Sequence, residues 1–249
     1  MNNHTSSYAF LSRPSALTRG NVTAEVTQAL RSAIVTLAMP PGSSIDKSLV
    51  CAELGVSRFP VSEALARLQT EGLVDIAPQR GSTVSLVRLS DVREYMLIRK
   101  GLESEALRVL IGSHDAGLLD ELRENLAAQQ ATADRDDAET FHQIDIEFHD
   151  IIYRSMRFTR IKTIIDSARA NLDRARRLII TPRRLVLTIA EHQAIFNGIV
   201  HADAVQASRA MRAHIDAVMI ELFAFAREHP DLFADGQTLG ADSDSFPFG

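Results

Sequence analysis

The sequence lacks several features that direct a chain to particular protein classes. Among its 249 residues there is a single cysteine, Cys51, so neither a disulfide framework nor a zinc site built from several cysteines is available. Tryptophan is absent, and no apolar run approaches the roughly 20 residues needed to cross a bilayer. The polar N-terminus contains no apolar segment of the kind found in secretory signals. We therefore expect a cytoplasmic protein.

Excess positive charge is also absent, since the formal net charge is −5, but the charges are unevenly distributed. Residues 1–88 carry 8 Lys and Arg against 6 Asp and Glu, residues 89–228 carry 19 against 22, and residues 229–249 carry 0 against 4. Affinity for nucleic acid depends on the number of phosphates neutralised rather than on total charge. The mildly basic N-terminal third is therefore compatible with DNA binding, although charge alone does not require it.

Most of the sequence shows helical periodicity, and one short β-like stretch interrupts it. The N-terminal part predicts three helices over 22–37, 49–54 and 60–68, followed by strands over 73–76 and 83–87. The turn sequence between the two strands, residues 78–81, indicates a hairpin. Three helices followed by a hairpin are the order of a winged helix-turn-helix domain, in which the third helix enters the major groove of DNA.

Beyond residue 89 the sequence shows only amphipathic helical patterns, with no further strand and no internal repeat. The predicted helices span 90–112, 115–132, 136–154, 158–180, 184–200 and 203–227. The fold class is thus mainly α, with a winged helix-turn-helix domain followed by an all-α antiparallel bundle. The predicted organisation is a flexible tail over 1–19, the DNA-binding domain over 20–88, the helical domain over 89–228 and a flexible acidic tail over 229–249.

Within the predicted helix-turn-helix, Gly55 supplies the positive φ that a tight turn needs, and Ser57 can cap the next helix and donate to a phosphate. Arg58 then lies at the helix N-terminus, where its guanidinium can reach guanine or a phosphate. Arg80, beside Gly81, lies at the tip of the hairpin, in the place of a wing residue. The alternative is a small helical subdomain with two surface arginines.

The run from Ala52 to Leu65, with Glu71-Gly72-Leu73-Val74 and Arg80-Gly81, closely resembles the DNA-binding domain of GntR-family transcriptional regulators. The resemblance covers about residues 22–88 and implies DNA contacts at Ser57 and Arg58 and a wing role for Arg80 with Gly81. Two positions depart from the family pattern. Ser62 stands where the family usually has arginine, and Lys47 where an acidic residue is common. Arg67, on the same helix, contacts a phosphate or is simply solvated.

Histidines are the informative residues of the helical part. Asp145 and His149 are four residues apart and so share one helix face, where a carboxylate and an imidazole can share a cation. His192 and His214 lie on later amphipathic helices beside core-type residues. If these helices pack antiparallel, the four side chains can converge in the interior of the bundle. Alone, the Asp145 and His149 pair is a weak signal, because a solvated Asp and a His on an amphipathic helix also arise by chance.

The segments around Asp145-x-x-Phe148-His149, Glu191-His192-Gln193 and Met211-Arg212-Ala213-His214 resemble the FCD ligand-binding domain of the FadR-type branch of the GntR family. This resemblance covers about residues 90–225. It implies that Asp145, His149, His192 and His214 hold a divalent metal ion. A set of one Asp and three His suits zinc, nickel, manganese or iron(II), and zinc is the default expectation.

The same resemblance implies a small organic acid or sugar acid as effector. Arg99 lies where family members often have an inward arginine, and it either clamps a carboxylate or forms an intrahelical pair with Glu103. The basic run around Arg176 and Arg184 is interpreted as solvated or interfacial, with a pocket contribution as the alternative.

The sequence thus predicts a homodimeric transcriptional regulator that binds double-stranded operator DNA and whose occupancy responds to a carboxylate bound at a metal-containing pocket. The alternative is a metal-dependent hydrolase or isomerase with an accessory winged-helix domain. We expect no enzyme, because no HExxH motif, nucleophile elbow or phosphate loop is present. Glu147 points about 200° away from Asp145 around the helix, and Glu191 precedes rather than faces a ligand.

Overall fold

A computed structural model describes residues 8–11, 22–111, 116–156, 160, 164 and 169–236. The chain divides into two compact units. The first takes the residues up to Arg88 together with His229–Gly236, and the second takes Leu89–Glu228. The mainly α fold is confirmed, since helices account for most of the described residues and the strands form one small sheet.

The N-terminal unit has three helices and a three-stranded antiparallel sheet. Its elements are α1 (Val22–Val35), β1 (Ser44–Ile45), α2 (Lys47–Leu54), α3 (Arg58–Thr70), β2 (Val74–Ala77) and β3 (Gly81–Val84). The strand order is β1-β3-β2, with Ser44 opposite Thr83 and Val74 opposite Val84. The short strand β1 was not predicted from the sequence, because two residues are too few to establish an alternating pattern.

Local interactions determine where α2 begins and ends and how α3 is held. Asp46 caps α2 by accepting hydrogen bonds from the backbone N–H groups of Ser48 and Leu49, and Gly55 ends it with φ +69°. The turn glycine is therefore in the left-handed conformation that the sequence predicted. Helices α1 and α2 both pack against α3, whose buried side chains include Leu65 and Leu68.

Two terminal segments differ from the flexible tails expected from the sequence. Tyr8 is buried, and its hydroxyl donates to the Ser44 carbonyl and accepts from the Asp46 N–H. At the other end, the Val87 N–H donates to the Leu232 carbonyl at 3.0 Å and the Ala234 N–H donates to the Val87 carbonyl at 2.9 Å. Buried Phe233 accompanies this pairing. The rest of both predicted tails, residues 1–7, 12–19 and 237–249, lies outside the described residues.

The helical unit is built from long helices. They are α4 (Leu89–Leu110), α5 (Ala116–Ala133), α6 (Ala138–Ser155), α7 (Arg169–Leu178), α8 (Pro182–Val200) and α9 (Ala204–Glu228). The helix predicted over 158–180 is described mainly from Arg169 onward. Helix α9 packs against α8 and α4, and α5 packs against α6 and α8. None of the helices in the described ranges is long and apolar enough to cross a membrane.

A glycine sets the closest approach between two of these helices. A Cβ added at Gly198 of α8 would lie 2.6 Å from the backbone nitrogen of Ala207 on α9. That distance is shorter than side chains tolerate, so only glycine allows the two helices to come this close. The crossing holds α8 and α9, which carry His192 and His214, against one another.

Candidate metal centre and DNA-facing surface

Three helices bring the predicted metal ligands together inside the helical unit. Helix α6 carries Asp145 and His149 one turn apart, α8 carries His192 and α9 carries His214. Each offers one ligand atom, and these four atoms all lie within 4.8 Å of one another. All four side chains are buried. The structure therefore forms a cluster that could hold a metal ion.

Packing fixes the orientation of the rings in this cluster. Phe148 stacks on His192 with ring centroids 4.0 Å apart and an interplanar angle of 6°. The centroids of His192 and His214 are 4.6 Å apart, and those of His149 and His214 are 5.3 Å apart. Phe148 thus lies next to His149 on α6 and packs against His192 of α8.

Each candidate ligand also has a polar partner on its outer side. For the three histidines the contacting atom is Nδ1, which leaves Nε2 as the nitrogen available to a cation. The pairs are His149 with Glu103 at 2.7 Å, His192 with the Gln129 Oε1 at 3.0 Å, His214 with Glu191 at 2.8 Å, and the Asp145 carboxylate with Arg176 at 2.6 Å. Such partners orient the ligands in known metal sites and set the histidine tautomer.

The inner atoms of the cluster support the fit to a cation. Within the described residues, the Nε2 atoms of His149 and His192 are buried and have no hydrogen-bond partner. The His192 Nε2 lies 3.6 Å from the Asp145 Oδ1, so these two atoms face each other across the cluster. Buried polar atoms without partners are rare, and a metal ion is one way to satisfy them.

Electrostatics favour the protonation states that metal binding needs. Burial lowers the pKa of His192 and His214 well below the usual value, which keeps both imidazoles neutral. Burial alone would raise the pKa of Asp145, but Arg176, with His192 and His149, holds it well below its usual range. The cluster therefore offers the Asp145 carboxylate and the neutral ring nitrogens of His192 and His214 at neutral pH.

A small, partly open cleft adjoins this cluster. Its lining residues are Arg99, Ile146, His149, Tyr153, Leu172, Asp173 and Arg176. His149 therefore belongs both to the cluster and to the cleft wall. Arg99 fits both interpretations of its sequence position, because its Nε donates to Glu103 at 2.5 Å and the same side chain lines the cleft.

The basic run of α7 and α8 is only partly the solvated surface that the sequence suggested, since Arg183 is exposed but Arg174, Arg176 and Arg184 are buried. Arg176 is buried and contacts the Asp145 carboxylate, which matches the alternative of a pocket contribution. Arg184 is also buried and pairs with Glu191 and Glu221. Acidic residues inside the bundle compensate these cations, which explains how they can be buried.

In the N-terminal unit the predicted DNA contacts are all exposed. They are Ser57, Arg58, Ser62, Arg67, Arg80 and Gly81. The backbone of Ser57 begins α3, but its hydroxyl makes no capping hydrogen bond, so the capping role predicted for that side chain is wrong. One Arg58 guanidinium nitrogen lies 3.2 Å from the Ser48 hydroxyl of α2. Gly81 is the first residue of β3, directly after the turn that ends at Arg80, and has φ +96°.

Comparison with known families assigns both units. Residues 22–84 match the model of bacterial regulatory proteins of the gntR family, and residues 94–217 match the FCD domain. The chain belongs to the GntR family of transcriptional regulators. An HTH-type transcriptional regulator of Streptomyces ambofaciens is 34% identical over 82% of this chain and 86% of its own length. The transcriptional repressor RspR of Escherichia coli is 27% identical over 86% and 94%.

Solved structures of GntR regulators show the same fold. Escherichia coli McbR/YncC superposes with a TM-score of 0.67 at 22% identity, covering 82% of this chain and 97% of that protein. A GntR regulator of Rhodococcus sp. RHA1 gives a TM-score of 0.69 at 20% identity, with coverage of 81% and 97%. The resemblances seen in the sequence are thus confirmed. The enzyme alternative gains no support, since the relatives are transcriptional regulators.

Sequence reasoning did not find the residues that support the site of this GntR regulator. Glu191 was set aside because it precedes His192, yet its carboxylate contacts His214 of the neighbouring helix. Gln129 had no detectable signal, because its role depends on helix packing rather than spacing, and Arg176 was noted only as part of a basic run with a pocket contribution as the alternative. Phe59 was also overlooked, although it lies among the predicted DNA contacts and is 72% exposed.

Proposed function

We propose that this regulator binds operator DNA as a homodimer and that a small carboxylate bound beside a metal ion in the helical unit modulates its occupancy. The observation that carries the proposal is the buried cluster of one Asp and three His, which shares His149 with the wall of a cleft lined by two arginines. A sensor needs such a connection between an internal centre and solvent, because the effector must enter from outside.

The proposed metal ligands are Asp145, His149, His192 and His214. A set with no thiolate suits zinc, nickel, manganese or iron(II), and zinc is the first candidate to test. When bound, such an ion would act as a Lewis acid toward a carboxylate oxygen. The outer partners Glu103, Gln129, Glu191 and Arg176 orient the ligands.

Arg99 and Arg176 give the cleft its preference for acids. Both side chains are almost fully buried, so an anion that enters meets guanidinium groups with little competing water. The Arg99 guanidinium already pairs with Glu103 through Nε, which fixes its plane and leaves its other N–H groups for an incoming carboxylate. Small organic acids and sugar acids are the effector class that this arrangement favours.

Operator recognition is proposed for the exposed face formed by α3 and the hairpin tip, with Ser57, Arg58, Ser62 and Arg67 on the helix and Arg80 with Gly81 at the tip. A single recognition helix reads few bases, so two copies related by symmetry would read two half-sites of a pseudo-palindromic operator. The effector can change occupancy only if it binds the DNA-competent and incompetent arrangements with different affinities.

Thermal unfolding of the full chain against a panel of organic and sugar acids, before and after chelator treatment, tests the sensor part. A ligand present at 100 times its Kd stabilises the unit that binds it by about 2.7 kcal/mol. We expect stabilisation by particular acids in the metal-loaded protein and none after chelation. Stabilisation that persists after chelation would contradict the role of the metal.

The variant His214→Ala tests whether acid binding at the cluster changes the affinity for operator DNA. We expect the variant to retain operator binding in a mobility-shift titration and to lose the acid-dependent change in affinity. His201→Ala, at an exposed histidine beyond the end of α8, is the matched control and keeps the response. An unchanged acid response in His214→Ala would show that the cluster is a structural part of the core.

A further inference from the structure

Phe59 is the most exposed large apolar side chain of the N-terminal unit within the described ranges, at 72% exposure. It is the second residue of α3, directly after Arg58. The buried face of the helix is formed by Pro60, Val61, Ala64, Leu65 and Leu68. Phe59 lies off that face, so the core of the unit does not account for it.

The surroundings of Phe59 on α3 allow close approach of another molecule. Ser62 and Ala66 lie three and seven residues further along and share its side of the helix. Both are exposed and short, and exposed Glu63, four residues after Phe59, is the other long side chain on this side. Ser62 occupies the position where arginine is usual in the family. The long groups on this side are therefore an apolar ring and a carboxylate, and neither is a hydrogen-bond donor.

The charges around Phe59 indicate what that molecule is. Arg58 precedes it, Arg67 lies two turns later, and Arg80 is at the tip of the hairpin, and all three are exposed. Exposed guanidinium groups on both sides of a projecting helix match the two phosphate backbones that border a DNA groove. An aromatic ring between them then faces the base edges.

We propose that Phe59 reads a thymine in each operator half-site by packing against its C5-methyl group. This inference rests on the proposed entry of α3 into the major groove. Thymine is the one base that presents a methyl group there, and phenylalanine is among the side chains that make such a contact. Cytosine and adenine present amino donors at their edges, and guanine presents acceptors, which the ring would leave without partners. Specificity at this position therefore depends on the apolar contact with the thymine methyl group and on the hydrogen bonds that the other three bases would lose.

The test begins with full-length protein and a random DNA pool, from which preferred sites are selected. Each thymine of a selected site is then replaced by uracil, which lacks only the methyl group. At one thymine per half-site we expect the replacement to weaken binding about fourfold, the effect of one buried carbon group. Phe59→Ala should bind the thymine site more weakly and should lose the difference between thymine and uracil.

Leu49→Ala is the matched control, since Leu49 is an exposed apolar residue of the same unit on α2. It should keep the thymine preference, and thermal unfolding should show that both variants fold like the parent. Full retention of the thymine preference by Phe59→Ala would overturn the inference while leaving DNA binding intact. A change in oligomeric state on Phe59→Ala, with unaltered preference, would instead assign the ring to a protein contact. Failure of the parent protein to enrich any sequence would overturn the proposed function itself.

Discussion

The two units of this regulator treat their candidate functional residues in opposite ways. The predicted DNA contacts of the N-terminal unit, from Ser57 to Gly81, are all exposed. The candidate ligands of the helical unit are between 0% and 3% exposed, and their outer partners come from four further positions in the same core. The N-terminal unit presents its candidate functional residues on the surface, whereas the helical unit buries them in the core that stabilises its fold.

This difference determines what mutations do. An exposed side chain contributes little to the free energy of unfolding, so its replacement changes binding alone. A buried ligand or partner contributes to both, because its removal leaves unpaired polar groups and a cavity. Function and stability should therefore separate cleanly in the N-terminal unit and remain coupled in the helical unit.

The largest expected effect is at Glu103, whose carboxylate contacts both Arg99 and His149 in the core. Glu103→Ala leaves the Arg99 charge buried without its partner, and we expect a loss of about 3–5 kcal/mol in the free energy of unfolding. Urea titration measures it. Glu105→Ala on the same helix is the control and should change stability by less than about 1 kcal/mol, because the Glu105 pair with Arg108 is exposed. Equal effects of the two substitutions would remove the distinction between surface and core.

Acidification should weaken the metal-free helical unit selectively. Burial lowers the pKa of His142 to about 3 and the pKa values of His192 and His214 well below the usual one. The unfolded chain then binds protons near pH 6.5 that the folded chain does not, so stability is present above that pH and declines as the pH falls. Glu191 has a pKa raised by burial and acts in the opposite direction.

Between pH 7.5 and 5.5 each histidine that stays neutral removes about 1.4 kcal/mol of stability. Hydrogen exchange followed unit by unit in the presence of chelator measures this change. The N-terminal unit provides the internal reference, because it has no buried histidine among its described residues. A uniform loss of protection in both units would contradict the assignment to the buried histidines.

A smaller effect should distinguish two glycines of the helical unit. Gly198→Ala places a methyl group 2.6 Å from the Ala207 nitrogen and should destabilise the protein by roughly 1–3 kcal/mol through forced separation of α8 and α9. Gly101→Ala meets no atom within 4 Å and should stabilise α4 by about 0.5–1 kcal/mol. Thermal unfolding measures both. Effects of the same sign would show that the close crossing does not limit the packing.

The smallest effect on stability is expected at Arg58. Arg58→Ala should leave the free energy of unfolding within about 0.5 kcal/mol of the parent, since its contact with Ser48 is exposed. Affinity for selected DNA should fall, and if the side chain contacts a phosphate, the salt dependence should decrease by about one charge. Titrations at several salt concentrations measure this. Large destabilisation would place Arg58 among the structural residues.

Residues close in sequence were the ones that could be predicted. Asp145 and His149 share a helix face through their spacing, and Gly55 marks the turn between two helices through its conformational freedom. Both features depend on local geometry, which a sequence pattern displays directly. The family resemblance then added His192 and His214, which spacing alone could not connect to α6.

The remaining parts of the site depend on packing between distant segments. Glu191 lies on α8 but contacts a histidine of α9, and Arg176 reaches Asp145 from α7. No periodicity encodes which outward residue of one helix meets its neighbour. The burial of Arg176 and Arg184 was missed for the same reason, because a basic run looks solvated until its acidic partners are known.

The pairing of Val87 with residues 232–234 has a consequence for how the protein is made. Synthesis proceeds from the N-terminus, and domains usually fold in that order. Here the N-terminal unit includes Phe233 and its neighbours, which are synthesised only after the entire helical unit. A nascent or prematurely terminated chain that stops before residue 229 therefore lacks a piece of its first unit. The N-terminal unit can therefore be complete only after the helical unit has been translated.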